Sequence, residues 1–183
     1  DAGRALADAQ AAKYARILRE AGVQPGDHLL EIGCGWGGFA EHAARAGCRV
    51  TGITVSAAQL EYARERIARA GLGDRVTLQL CDYRDLGGQF DHVVSIEMFE
   101  AVGERYWPGY FAMIRDRLRP GGRALVQSIT IAESKFDRYR SGTDFIQQYI
   151  FPGGMLPSKT VFAEVAARQG LKVQDMHAFG LDY

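Results

Sequence analysis

A doubly wound α/β fold built on a mainly parallel sheet is predicted for this chain, and three observations predict it. Strand-length apolar runs alternate with amphipathic helical runs along the sequence. A glycine cluster, Gly33 to Gly38, separates the first strand from a helix. No internal repeat, low-complexity tract or linker interrupts the alternation. At 183 residues the chain suits one domain, 1–183, with a sizeable core.

The elements follow in order. Leu6, Ala9, Tyr14, Ile17 and Leu18 recur at helical spacing over residues 5–21, and Gly22 ends the run, giving an N-terminal helical region, 1–22. A turn, Q-P-G-D, leads into the strand H-L-L-E-I-G, then the glycine loop and a helix from Phe39 to Ala46. C-R-V-T-G-I-T (48–54) is a second strand. Ser56 with Gln59 three residues later is a capping-box signature opening a helix to Ala70. R-V-T-L-Q-L (75–80) and F-D-H-V-V-S-I (90–96) are the third and fourth strands. A helix from Tyr106 to Leu118 stops at R-P-G-G before a fifth strand at 123–131. These strands and helices make up a core, 27–131, and a polar and aromatic stretch, 132–158, follows it. A helix from Lys159 to Gln169 and a sixth strand, L-K-V-Q-D-M (171–176), complete a C-terminal part, 159–183.

Bulk composition narrows the function. Lys+Arg 22 against Asp+Glu 22 leaves no basic excess to track phosphates, so nucleic acid is not an expected partner. Cys34, Cys48 and Cys81 are odd in number and sit in apolar segments, as buried thiols of a reducing, cytoplasmic compartment would. His28, His42, His92 and His177 lack ligand spacing, so no metal is expected. No window approaches the roughly 18 apolar residues of a membrane span, and without a basic n-region followed by an apolar core no secretion signal is expected. The sequence starts at Asp1 without Met and stops soon after its sixth strand, so truncation at both ends is expected.

The loop E-I-G-C-G-W-G-G (31–38) lets backbone approach a ligand at a helix N-terminus. It runs G-x-G-x-G-G where the dinucleotide fingerprint wants G-x-G-x-x-G, and the second strand ends at Thr54 without the fingerprint's acid. The spacing E-x-G-x-G-x-G resembles the S-adenosylmethionine loop of class I methyltransferases. That likeness makes Glu31, Gly33, Gly35, Gly37, Thr54, Gln59, Asp82 and Tyr83 the candidate cofactor-binding residues. Asp82, at the tip of the third strand, either accepts from the adenine amine or caps a turn. Gln59 either binds ribose or only completes the capping box, and Trp36 reads as packing.

Five segments together resemble the cyclopropane fatty acid synthases, which include the mycolic acid cyclopropane synthases. They are L-E-I-G-C-G-W-G-G, V-T-G-I-T-V-S-A-A-Q, F-D-H-V-V-S-I-E-M-F-E-A-V-G, Q-Q-Y-I-F-P-G-G-M-L-P-S and F-G-L-D-Y. The fourth is the most specific. The resemblance implies a Rossmann-like class I methyltransferase that moves a methyl group from S-adenosylmethionine to a cis double bond of an unsaturated phospholipid acyl chain. The carbocation so formed then loses a proton and closes to a ring; relatives that give a methyl-branched or methylene product share the chemistry up to that cation. Bicarbonate is a further implied ligand. Mapped onto this sequence, the implied catalytic positions are Glu100, Gln127, Ile129 and Tyr183. Gln127 stands where the family has a histidine, and an amide can donate a hydrogen bond but cannot take a proton. The family's active-site cysteine lies upstream of Asp1, Ala101 stands at a usual His, and Glu97 at a common Gly. Peripheral contact with the inner membrane face and a homodimer are also implied.

Glu97 and Glu100 lie three residues apart with no base in the next four. Burying an unpaired carboxylate is costly, so the pair is expected to face a cation, with Glu100 the stronger candidate, or else simply to open a helix. Phe136, Tyr139, Tyr149 and Phe151 are acyl-channel candidates or plain core, within a segment expected to cover the substrate. Two other classes compete: an N-methyltransferase of a small amine, and an inactive cofactor-binding fragment.

Overall fold

The computed structural model describes residues 6–142 and 153–179. The chain gathers into two units, residues 1–99 with 116–128 and residues 100–115 with 129–183.

The first unit holds α1 (Leu6–Ala21), β1 (His28–Ile32), α2 (Gly38–Arg45), β2 (Arg49–Thr54), α3 (Ala57–Arg69), β3 (Val76–Leu80), β4 (Phe90–Ile96) and β5 (Leu118–Gln127). All five strands are parallel, in the order β3-β2-β1-β4-β5. Strands buried on both faces read as continuous apolar runs, and Leu29, Leu30, Val93 and Val94 are indeed fully buried. Ile17 of α1, Phe39 and Ala43 of α2, and Leu60, Ala63 and Ile67 of α3 pack into one core with Leu29, Val50, Val76 and Val94. The chain winds outward from β1 to β3, then returns to β4 on the other side of β1. That reversal puts the ligand crevice outside the carboxyl ends of β1 and β4.

The second unit contains most of α4 (Trp107–Arg117), together with α5 (Glu133–Ser141) and α6 (Lys159–Arg168). Trp107 is buried and its indole N–H donates to the Val102 carbonyl at 2.8 Å. Phe111 and Phe162 meet edge to face, with centroids 5.0 Å apart. Ser158 caps α6 by accepting from the Val161 N–H. Helix α5 occupies part of the polar stretch after the fifth strand, for which the sequence reading proposed no element; Phe136 is its buried residue and Tyr139 is half-buried.

Two strand expectations are corrected. The fifth strand ends at Gln127 instead of residue 131, and Ile131 makes an isolated parallel bridge to Ser158. Its apolar run Ile129-Thr130-Ile131 has strand propensity, but the β4 ladder it would extend stops at Ile96. Residues 171–176 form no strand: Leu171 and Val173 are half-buried and their neighbours exposed. Alternation there marks a half-buried segment, and it becomes a strand only when it pairs with another strand.

Candidate active site

At the carboxyl edge of the first unit, Gly33, Gly35 and Gly37 all take left-handed backbone, with φ of 79°, 50° and 77°. A Cβ on Gly33 would lie 2.9 Å from Met98 Cγ, so the loop after β1 and the loop after β4 touch across the switch point. A Cβ on Gly35 would meet nothing within 4 Å, so the loop is open on that side. Gly37 begins α2 with no side-chain cap, leaving helix N–H groups for an anionic ligand.

Thr54 ends β2. Its hydroxyl donates to Gln59 Oε1 at 3.0 Å and accepts from the Ser56 N–H. The capping box is therefore only half made: Ser56 accepts from the Gln59 N–H, but the Gln59 side chain turns to Thr54. With Oε1 engaged, Gln59 presents its NH2 group, a donor suited to hydroxyl oxygens. Asp82 is grasped by Arg84, Nη2 to Oδ2 at 2.6 Å and Nε to Oδ1 at 2.9 Å, and also accepts the Arg84 backbone N–H. The Arg84 side chain first, and that backbone bond, hold the Asp82 carboxyl below the usual range. Tyr83 is half-buried beside it. Trp36, expected as packing, is 54% exposed and rests edge-on against Tyr62.

Glu31 on β1 is buried, and its Oε2 has no hydrogen-bond partner among the described residues. Burial pushes this carboxyl well above its usual range, while the Ala40 backbone N–H pulls it back. Cys34, buried beside it, is pushed up to about 12 by burial first, and by Glu31, so it stays a thiol. A raised folded-state value means the folded chain keeps a proton that the unfolded chain releases. Stability therefore falls as pH climbs from about 4.3 to the raised value, by up to about 1.4 kcal/mol per pH unit. Glu31→Gln removes this titration, so its Tm should gain on wild type as pH rises above about 4.3, the ordinary carboxyl value. The constant cost of an unpaired amide cancels in that comparison; a gap independent of pH would contradict the burial argument.

The two acids of the 97–103 segment lie in different units and have separate partners. Glu97 pairs with Lys13 of α1, Nζ to Oε1 at 3.2 Å, a base 84 residues away in sequence. Its Oε1 also accepts from Gln127 Nε2 at 2.6 Å, and its N–H donates to the Gln127 carbonyl. Tyr14, the next residue on α1, lies edge-on to Phe39 of α2. Burial first, with the charges of Glu31 and Glu97, raises its phenol.

In the second unit Glu100 is 6% exposed. Its Oε1 accepts from the Ile129 backbone N–H, and its Oε2 has no partner among the described residues. Its carbonyl accepts from the Met155 N–H at 3.1 Å. A Cβ on Gly103 would stand 2.7 Å from the Gly153 carbonyl oxygen, so only glycine lets these backbones approach. The G-G-M-L-P-S segment thus lies against the turn that carries Glu100. Tyr183, Tyr149 and Phe151 fall outside the described residues.

The first unit thus collects every cofactor candidate and Gln127, while the second brings Glu100 to Ile129. Sequence reasoning missed Lys13, Tyr14, Met98 and Met155. The signal available for Lys13 was its place on the face of α1 that also carries Ile17, one turn on. Among the described residues no group of three or more His, Cys, Asp or Glu could hold a metal, and no helix is long and apolar enough to cross a membrane.

An open glycine loop, uncapped helix N–H groups and an orphaned buried carboxylate oxygen suit a small zwitterion with an adenosine arm. The fit to S-adenosylmethionine is therefore good in the residues present. Comparison with known proteins agrees on the fold. The chain is 47% identical over 171 residues to the tuberculostearic acid methyltransferase UfaA1 of Mycobacterium tuberculosis, covering 93% of this chain and 40% of that protein. It is 41% identical over 179 residues to the cyclopropane-fatty-acyl-phospholipid synthase of Escherichia coli strain K12, covering 97% of this chain and 44% of that protein. The chain therefore spans less than half the length of these relatives. The crystal structure of the mycolic acid cyclopropane synthase CmaA1, complexed with SAH and CTAB, superposes with a TM-score of 0.84 at 30% identity, over 94% of this chain and 64% of that one. The parallel sheet is that of the class I S-adenosylmethionine-dependent methyltransferases. The model of the mycolic acid cyclopropane synthetase family matches residues 1–183, from α1 through α6 to the last residue, and the chain belongs to that family.

Proposed function

We propose that the protein methylates the cis double bond of an unsaturated phospholipid acyl chain, with S-adenosylmethionine as donor. When bound, that donor supplies an electrophilic methyl carbon on a positively charged sulfur. Gly33, Gly35, Gly37 and Glu31 would hold its amino-acid end, and Thr54, Gln59, Asp82 and Tyr83 its adenosine. An alkene has no proton to lose before transfer, so no strong base is needed beforehand. Its π electrons form the new C–C bond, and a carbocation remains on the chain.

The observation that carries this reading is the buried Glu100 carboxylate, with one oxygen held by Ile129 and the other without a partner among the described residues. A negative group fixed in place before a cation develops is electrostatic catalysis. Glu100 Oε2 takes the proton afterwards; a bicarbonate bound beside it would supply a further acceptor. Proton loss from the transferred methyl carbon gives a cyclopropane, when the C–H electrons close the ring onto the neighbouring cation, or a methylene branch, when a 1,2-hydride shift has first moved the positive charge to the methyl-bearing carbon. A saturated methyl branch requires a further two-electron reduction. Gln127 contributes no proton acceptor at its position. The 47% identity to a protein named as a tuberculostearic acid methyltransferase favours the open-chain product over the ring.

Vesicles of unsaturated phospholipid incubated with the protein and methyl-labelled donor should gain label in the acyl chain, with the mass of one CH2. Fragmentation separates ring from branch. Label found only on small amines would replace this reading with N-methylation.

A further inference from the structure

Glu97 is the one non-glycine residue with positive φ among the described residues, at 53°. A left-handed glutamate is strained by its Cβ and persists where neighbours hold it. Here two bonds to a single residue do so: the Glu97 N–H donates to the Gln127 carbonyl at 3.0 Å, and Glu97 Oε1 accepts from Gln127 Nε2 at 2.6 Å. The turn at the end of β4 thus carries the Glu97 side chain back to the end of β5. Lys13 Nζ, 3.2 Å from the same oxygen, favours the ionised form.

An ionised carboxylate only accepts hydrogen bonds, and this fixes the Gln127 amide. Flipping it would set its carbonyl oxygen against the Glu97 anion. Oε1 and Nε2 lie on opposite sides of Cδ in one plane, so Oε1 must face away from Glu97. We propose that Glu97 is a positioning residue that locks the Gln127 amide with its carbonyl oxygen turned away from Glu97, as an acceptor. This deepens, and rests on, the lipid-methylation reading. Gln127 then offers a partial negative charge to the reaction's cation and serves poorly as a donor to an anion.

The test joins a spectrum to a mutant cycle. In protein labelled with 15N-glutamine, Gln127→Met identifies the Gln127 side-chain NH2 resonances. Glu97→Gln should shift them upfield, because a charge-assisted bond is lost; unmoved resonances overturn the proposal. On unsaturated phospholipid vesicles, Glu97→Gln should lower kcat about tenfold, the scale of one hydrogen bond to a charged group, with KM for the donor little changed. In the Gln127→Met background the same change should cost nothing further. A loss that instead adds to that of Gln127→Met would show Glu97 acting independently, against the proposal. Should Glu97→Gln fold poorly, Glu97→Asp keeps the charge and tolerates left-handed backbone but falls short of the amide, and the same outcomes apply. Wild-type protein that leaves lipid unmethylated, while the amide still responds to Glu97, would overturn the activity and keep the lock. Methylation with an indifferent amide would do the reverse.

Discussion

Glu100→Gln is expected to lower the turnover of the proposed lipid methylation about 10²- to 10³-fold, the range found when one preorganised electrostatic group is removed from a site. Glutamine is nearly isosteric with glutamate, and its side-chain oxygen can still accept the Ile129 N–H that Glu100 Oε1 accepts now. The Met155 bond to the Glu100 carbonyl is untouched, because it is backbone to backbone. Folding should therefore persist, with thermal unfolding close to that of wild type. What disappears is the negative charge and the proton acceptor at Oε2, which has no partner among the described residues. The loss should fall on kcat, because the charge matters most when the cation forms; the KM for S-adenosylmethionine should change little. Steady-state kinetics on vesicles, beside a thermal melt, checks both halves. Turnover within a fewfold of wild type would remove Glu100 from the chemistry.

Gly33→Ala is expected to destabilise the protein by about 2–5 kcal/mol, combining the penalty of left-handed backbone for a residue with a Cβ and that of overpacking. The added methyl would enter the space of Met98 Cγ at 2.9 Å and Cβ at 3.1 Å, so the β1 and β4 loops must separate. That separation falls where the cofactor is proposed to bind, and calorimetry should show donor binding weakened along with stability. Gly35→Ala is the informative partner, since its Cβ would meet no atom within 4 Å. Only the conformational cost, about 1–2 kcal/mol, should appear in its unfolding. If its open side faces the ligand, donor binding should drop well beyond that cost. Binding lost in Gly33→Ala but intact in Gly35→Ala would place the ligand elsewhere on the loop.

Local signals carried most of the fold. β4 coincides with the expected run 90–96, and β1, β2, β3 and α3 lie within a residue of their expected bounds. Buried parallel strands are written as unbroken apolar runs, and helices as periodic stripes, both readable in a short window. The glycine loop was legible for a similar reason, because left-handed turns select glycine wherever they occur. The grasp of Asp82 by Arg84, two residues on, was within the same reach. The turn reading weighed for Asp82 matches its bond from the Arg84 backbone N–H.

Amino-acid order alone determined the alternation of strands and helices, the position of the glycine loop and the family resemblance, because each is a property of neighbouring residues. Tertiary structure alone decided where the strands stop and which acid meets which partner. β5 ends where β4 no longer offers a ladder, and residues 171–176 form no strand. Glu97 is matched by Lys13 from 84 residues away and bound to Gln127, while Glu100 meets the Ile129 amide. Charge and hydrogen-bond partners are fixed by distance in space, and separation along the chain says little about that distance until the sheet has brought its carboxyl ends together.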